Sequence, residues 1–270
     1  MRWLARVRRP GAYAVFIASL CVCGLVLPIN ILRSELEPSS AWGMTYGGAA
    51  VGLMLGVMAY GVRRRAPRYG PGSARGWLQF HVYGGVLFLV LVLMHTAFRA
   101  PRGVLGWALW LLAIYVVLSG LVGLLLQRWL PRVLSSAFTT EVNFERIPAL
   151  VDVLRGRAED LVYSCDDSVQ RFYEINLQPA FASPQPRLRY FVDAAGGIHA
   201  RVAQLEHLRL LLPTDREKLD ALKQLVASKL EMDAQYTLQR ALRVWLMGHV
   251  PLTVLLLVLV GFHLFTIWYY

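Results

Sequence analysis

The sequence predicts a mainly α membrane protein of five transmembrane helices, with a small α+β soluble domain inserted between the fourth and the fifth. Three observations predict it. The 270 residues are 56% hydrophobic and only 17% charged, too apolar for an ordinary soluble domain. Five stretches, 11–32, 43–62, 77–98, 104–126 and 244–269, contain no Lys, Arg, Asp or Glu, and each reaches the roughly 20 mostly apolar residues that a spanning helix needs. The charge is also unevenly shared. Residues 127–243 hold 16 basic and 15 acidic side chains, which leaves 12 basic and 2 acidic for the rest of a chain of net charge +11. Basic charge set beside apolar runs is an orientation signal, whereas a nucleic-acid binder gathers it on a soluble face, so nucleic-acid binding is set aside.

Span one follows Arg2, Arg6, Arg8 and Arg9, as a secretory leader would. Its apolar run outlasts the roughly 7–15 residues of a leader and ends in Pro28, Asn30 and Arg33 rather than at a small-residue cleavage site, so it is expected to stay. Span two carries Gly43, Gly47, Gly48, Gly52 and Gly56, mostly at four-residue offsets, a pattern for close helix packing. Arg63, Arg64, Arg65, Arg68 and Arg75 lie between spans two and three, while the opposite loops show only Arg33, Arg99 and Arg102 as basic residues, with Glu35 and Glu37. That bias places the N-terminus and the insertion in the cytoplasm of a bacterial-type inner membrane and the C-terminus on the outer side. Membrane lipid is therefore an expected partner. The domains so defined are 1–126, 127–243 and 244–270.

In the insertion, Thr214 and Glu217 have capping-box spacing, and Leu219, Leu222, Leu225 and Val226 follow at helical spacing. With no Pro or Gly before Gly248, one long helix is expected to run from the soluble domain into span five. Residues 188–205 alternate like a hairpin around Ala-Gly-Gly, the source of the α+β expectation. Residues 141–163 read as a helix with Pro148 near its start. Asp166 and Asp167 read as a solvated turn. No phosphate-binding glycine motif is present, so nucleotide binding lacks support.

Cys21, Cys23 and Cys165 form neither CxxC nor CxxCH, which leaves covalent haem, iron–sulfur clusters and a disulfide scaffold unsupported. The histidines are more informative. Four of the six lie inside spans: His81 and His95 in span three, His249 and His263 in span five, each pair 14 residues apart. Fourteen residues turn an α-helix through about 1,400°, some 40° short of four turns, and rise about 21 Å. Both histidines of a pair thus share one face. Spans three and five run the same way, so His81 matches His249 in depth near the cytoplasmic side, and His95 matches His263 near the outer side.

An intramembrane histidine can be a hydrogen-bonded packing residue. Four at two equal spacings and matched depths, with no carboxylate in any span to pair with, point instead to axial ligands, because two facing imidazoles can hold one haem iron from both sides. The expectation is two non-covalent b haems about 21 Å apart, iron to iron. Gly84, Gly85, Gly248, Gly261, Gly120 and Gly123 fit close approach to a flat macrocycle as well as helix contact. Arg99, four residues past His95 and expected one turn outward on the same face, is a candidate propionate partner, as are Arg75 and Arg243, each six residues before a histidine. The same arginines also serve orientation and snorkelling. His199 and His207 lack a metal-ligand neighbourhood.

At His81-x13-His95 and His249-x13-His263 the chain resembles the di-haem membrane cytochrome b superfamily, including the cytochrome b of quinol–cytochrome c complexes and the ferric reductase and NADPH oxidase transmembrane domain. The resemblance covers about 50 residues in two helices and rests on spacing. It implies bis-histidine haem and one-electron chemistry. It departs in lacking a Pro-Glu-Trp-Tyr quinol motif, in showing no flavin or nicotinamide domain after span five, and in its inserted domain. The implied role is an electron-transfer subunit, itself no complete enzyme, whose partners are a flavoprotein, an iron–sulfur protein, a c-type cytochrome or quinone. The contrasting reading is a non-redox membrane anchor or sensor whose soluble insertion binds a partner.

Overall fold

The computed structural model describes residues 10–33, 37–65, 72–137, 142–191 and 215–269. The chain divides into two compact units, Met1–Leu124 with Met247–Tyr270, and Leu125–Leu246.

The first unit is built from α1 (Pro10–Leu32), α2 (Ala41–Arg65), α3 (Ala74–His95), most of α4 (Gly103–Ala137) and the C-terminal part of α8 (Arg216–Tyr269). All five helices are long and apolar enough to cross a membrane, so the protein is multi-pass. Their outward faces expose Leu25, Leu55, Val122 and Val258, which a lipid solvent favours and water would not. Inward, Ala50 and Met54 of α2, Phe88 of α3, Ala113 and Val117 of α4 and Leu256 of α8 meet in one apolar core.

Side-chain oxygens start two of these helices. Ser40 Oγ accepts the Gly43 N–H at 3.0 Å ahead of α2, and Ser73 Oγ accepts the Gly76 N–H at 3.2 Å ahead of α3. α2 and α3 then pack with little between them: a Cβ added at Gly84 would lie 2.7 Å from Val57 Cγ2. Here the glycines do serve helix contact. α1 lies against α3, where Phe16 stacks on Tyr83 with ring centroids 4.9 Å apart. It is also tied to α2, since buried Asn30 donates its side-chain amide to the Tyr46 hydroxyl.

The second unit packs α5 (Ile147–Tyr163), α6 (Asp167–Asn176) and α7 (Gln178–Phe181) against the first part of α8. Its core joins Ala158, Val162, Tyr173, Leu177 and Phe181 to Leu222, Val226 and Leu230. The long helix is continuous from Arg216 to Tyr269, and Leu219, Leu222 and Val226 are buried at the predicted helical spacing. Thr214 of the expected capping box lies outside the described residues. Asp166 proves to be the cap of α6, its carboxylate accepting the Ser168 N–H at 2.9 Å. That bond holds its carboxyl below the usual range.

The expected α+β character of the insertion is corrected. Among the described residues there is no strand, and Leu188–Phe191, where the hairpin was to begin, is a 3-10 turn; the remainder of 188–205 lies outside them. The physical reason is visible on α8. Asp233 Oδ1 accepts the Gln185 N–H at 2.8 Å and Thr237 Oγ1 accepts the Arg187 N–H at 3.2 Å, so the segment leading into that turn is pinned on helix side chains rather than on a partner strand. The same seam holds Val142, whose N–H goes to Gln235 Oε1 at 2.9 Å and whose carbonyl accepts Gln239 Nε2 at 2.8 Å. Lys229, also on this seam, is buried in an ion pair with Asp233 at 2.6 Å.

Candidate functional site

The ring of each α3 histidine is held by a main-chain oxygen of α2. His81 Nδ1 lies 3.0 Å from the Val57 carbonyl and His95 Nδ1 lies 2.9 Å from the Gly43 carbonyl. A carbonyl only accepts, so Nδ1 must carry the proton in both rings, and Nε2 keeps its lone pair. Gly43 and Val57 are themselves 14 residues apart on the antiparallel helix, the same interval as His81 and His95. The same contact repeats about four turns along because both helices advance about 1.5 Å per residue.

Each α3 ring also has a distinct neighbour. Gly47 lies beneath His95: a Cβ there would come within 3.0 Å of Nδ1 and 3.1 Å of Cε1. Tyr60 sits beside His81, with ring centroids 5.1 Å apart.

On α8, His249 is 9% exposed, and its Nδ1 lies 2.7 Å from Ser119 Oγ of α4. The neighbouring Gly120 leaves space, since a Cβ there would stand 3.5 Å from Cε1 of the same ring. His249 lies within electrostatic reach of His81, and His263 of His95. Among the described residues the backbones of α3 and α8 do not approach as closely as those of α2 and α3. Pro251 follows His249 by two residues inside α8 and removes the amide that would bond the Met247 carbonyl. Thr253 Oγ1 bonds the His249 carbonyl at 2.7 Å within the same turn.

The expected propionate partners fall differently. Arg75 is exposed at the start of α3. Arg99 is not on the helix face expected for it, because α3 stops at His95. The chain then turns through Ala97 and Phe98 with φ of 53° and 56°, closing on the helix through Phe98 N–H to Leu93 O at 2.8 Å. Left-handed φ at two non-glycine residues is uncommon, and it leads Arg99 away from the helical register. Arg243 belongs to the second unit, where its guanidinium pairs with the Glu145 carboxylate and lies 4.2 Å from the Phe144 ring centre. That partner holds the Glu145 carboxyl below its ordinary range.

The donor set suits bis-histidine iron. Histidines that bind metal through Nε2 are commonly held by an Nδ1–H bond to a carbonyl or other acceptor, as here. Among the described residues no three His, Cys, Asp or Glu side chains converge on one point; haem iron asks for only two from the protein. Sequence reasoning found the histidines but missed Ser119, whose only signal is a hydroxyl one residue before Gly120, and gave Gly47 a packing role alone. No protein-family model, curated protein or solved structure matches the chain.

Proposed function

We propose that this chain is a di-haem b-type cytochrome subunit that carries electrons across the membrane, with His81 and His249 holding one haem b and His95 and His263 a second. When bound, six-coordinate haem iron supplies one-electron transfer and leaves no position open for a substrate. The observation that carries the reading is the pair of Nδ1–H bonds from His81 and His95 to main-chain carbonyls, which fix both rings with Nε2 as the basic nitrogen. A histidine serving only to join helices would be satisfied by that one bond and would need no counterpart ring at the same depth.

The arginine-rich ends of the spans lie in the cytoplasm in this reading, and the inserted domain docks a flavoprotein, an iron–sulfur protein or another subunit there. The outer pair serves a quinone or a c-type cytochrome. Arg75 and Arg99 remain the propionate candidates, at exposed positions near the two ends of α3.

The test is a dithionite-reduced minus oxidised visible spectrum of the purified protein, with extractable haem counted per chain. Two low-spin b haems are expected, and His95→Leu should leave one. A colourless protein, made under conditions that load a control cytochrome, would sink the reading and turn attention to the inserted domain.

A further inference from the structure

Among the described residues, three of the four rings are held by a neighbouring helix, but not by the same chemistry. His81 and His95 donate to carbonyls, which have no proton of their own and cannot reverse the bond. His249 faces a hydroxyl, which can accept or donate. If Ser119 donated to Nδ1, the neutral ring would carry its proton on Nε2 and have no lone pair to offer a metal. Ser119 Oγ also lies 3.1 Å from the Val116 carbonyl in the preceding turn of α4. That carbonyl can only accept, so it offers the hydroxyl hydrogen a place within the same helix. With the hydrogen placed there, Ser119 Oγ accepts from His249 at 2.7 Å.

Gly120 lies beside the Cε1 edge of the same ring, where a Cβ would make ordinary contact at 3.5 Å. Ser119 bonds Nδ1 in this role, so it acts through the ring.

We propose that Ser119 is the positioning residue that holds His249 in its Nδ1–H tautomer, and that it thereby lowers the reduction potential of the metal centre His249 serves. The inference rests on the haem reading for its second half and on the hydroxyl geometry alone for its first. An acceptor on Nδ1–H gives the imidazole more anionic character, which favours the oxidised metal. Ser119 is thus a side chain through which the His81 and His249 pair can be tuned without changing a ligand, whereas the acceptor for His81 is main chain.

The experiment compares Ser119→Ala and Ser119→Thr with the unaltered full chain. In the haem-loaded protein a redox titration should resolve two midpoints, and Ser119→Ala should raise one and leave the other in place. The low-spin electron paramagnetic resonance signal of that same centre should move with it. Ser119→Thr keeps the hydroxyl and should restore both. Two haems per chain with both midpoints unmoved in Ser119→Ala would overturn the tuning role, as would a Thr variant that behaves like Ala.

The haem-free protein, labelled with 15N at histidine, supplies an independent readout. Assigned by its loss in His249→Gln, the His249 signal should show a proton on Nδ1 and shift toward a mixture of tautomers in Ser119→Ala. A signal unchanged by Ser119→Ala would overturn the tautomer assignment even in a protein that binds no haem. Absence of haem in the unaltered chain, with the tautomer shift present, would instead sink the proposed function and leave the Ser119 bond standing.

Discussion

Gly47 of α2 lies directly beneath the imidazole of His95, so close that a methyl group placed on it would stand 3.0 Å from Nδ1. That distance is shorter than ordinary contact between a Cβ and a ring atom, so either the ring or the helix must give. Gly47→Ala is expected to turn His95 off its bond to the Gly43 carbonyl and lower occupancy of the outer haem. Gly47→Leu is expected to abolish it, halving extractable haem per chain. The control is next door, because a Cβ at Gly48 meets nothing within 4 Å. Gly48→Ala should bind haem like the unaltered chain; equal losses at both positions would mean that the helix, not the ring, is being perturbed.

Tyr173 gives a prediction of opposite sign. It is 3% exposed in the core of the second unit, and its hydroxyl has no hydrogen-bond partner among the described residues. Removing a buried, unsatisfied hydroxyl while keeping the ring should stabilise, by about 1 kcal/mol. Burial, with a contribution from Glu159, also pushes the phenol up to about 12 from an ordinary value of 10.0. A raised folded value means stability that is complete below pH 10 and lost as pH rises through about 12. Tyr173→Phe should therefore melt higher at neutral pH and lose less stability in that alkaline window, measured by thermal melts followed by circular dichroism.

The Lys229 and Asp233 pair should be costly to break and cheap to replace. Both side chains are 2% exposed, so Lys229→Met strands a carboxylate and should cost about 3–5 kcal/mol. Adding Asp233→Asn removes the charge yet keeps an oxygen for the Gln185 N–H, and should recover most of that loss. Burial raises the Asp233 carboxyl above its model-compound value of 3.8 despite the neighbouring ammonium. The sign follows: its contribution is greatest at low pH and declines as pH rises through the raised value. Asp233→Asn alone should flatten that part of the stability profile, and an unchanged profile would show that Asp233 does not titrate there.

Asn30 and Tyr46 join α1 to α2 through a side-chain bond inside the membrane span. Hydrogen bonds between spans average about 0.6 kcal/mol and reach about 1.7. Asn30→Leu, Tyr46→Phe and the double variant should give a coupling energy in that range when unfolding is followed in mixed detergent. A coupling of zero would mean that α1 is held by its packing on α3 alone.

The parts of this structure that sequence made legible are those that depend on local rules. Long runs without charge give the spans, and helical spacing from Leu219 to Val226 gives the start of the long helix, because both are properties of one segment. The 14-residue intervals place four histidines on two faces by arithmetic. What escaped depends on a second segment. The Leu-Arg-Tyr-Phe run looked like a strand, but Asp233 and Thr237 of a distant helix took the backbone donors beside it. Arg99 was expected to continue the face of His95, and no glycine warned that Ala97 and Phe98 would turn the chain out of the helix. Ser119 and Gly47 matter because of rings more than 40 positions away.

The bond from His81 reaches residue 57 through its main chain, and the side chain at that position is ordinary valine. A mutational scan of α2 would therefore report at residue 57 only which side chains fit against Gly84, since every one of them brings the same carbonyl. The dependence would surface only on inserting or deleting one residue between 43 and 57, which rotates one acceptor about 100° from the other. Here the length of a segment is under constraint as well as a few of its letters, Gly47 among them, so kinship among such chains should be sought in intervals as well as in identities.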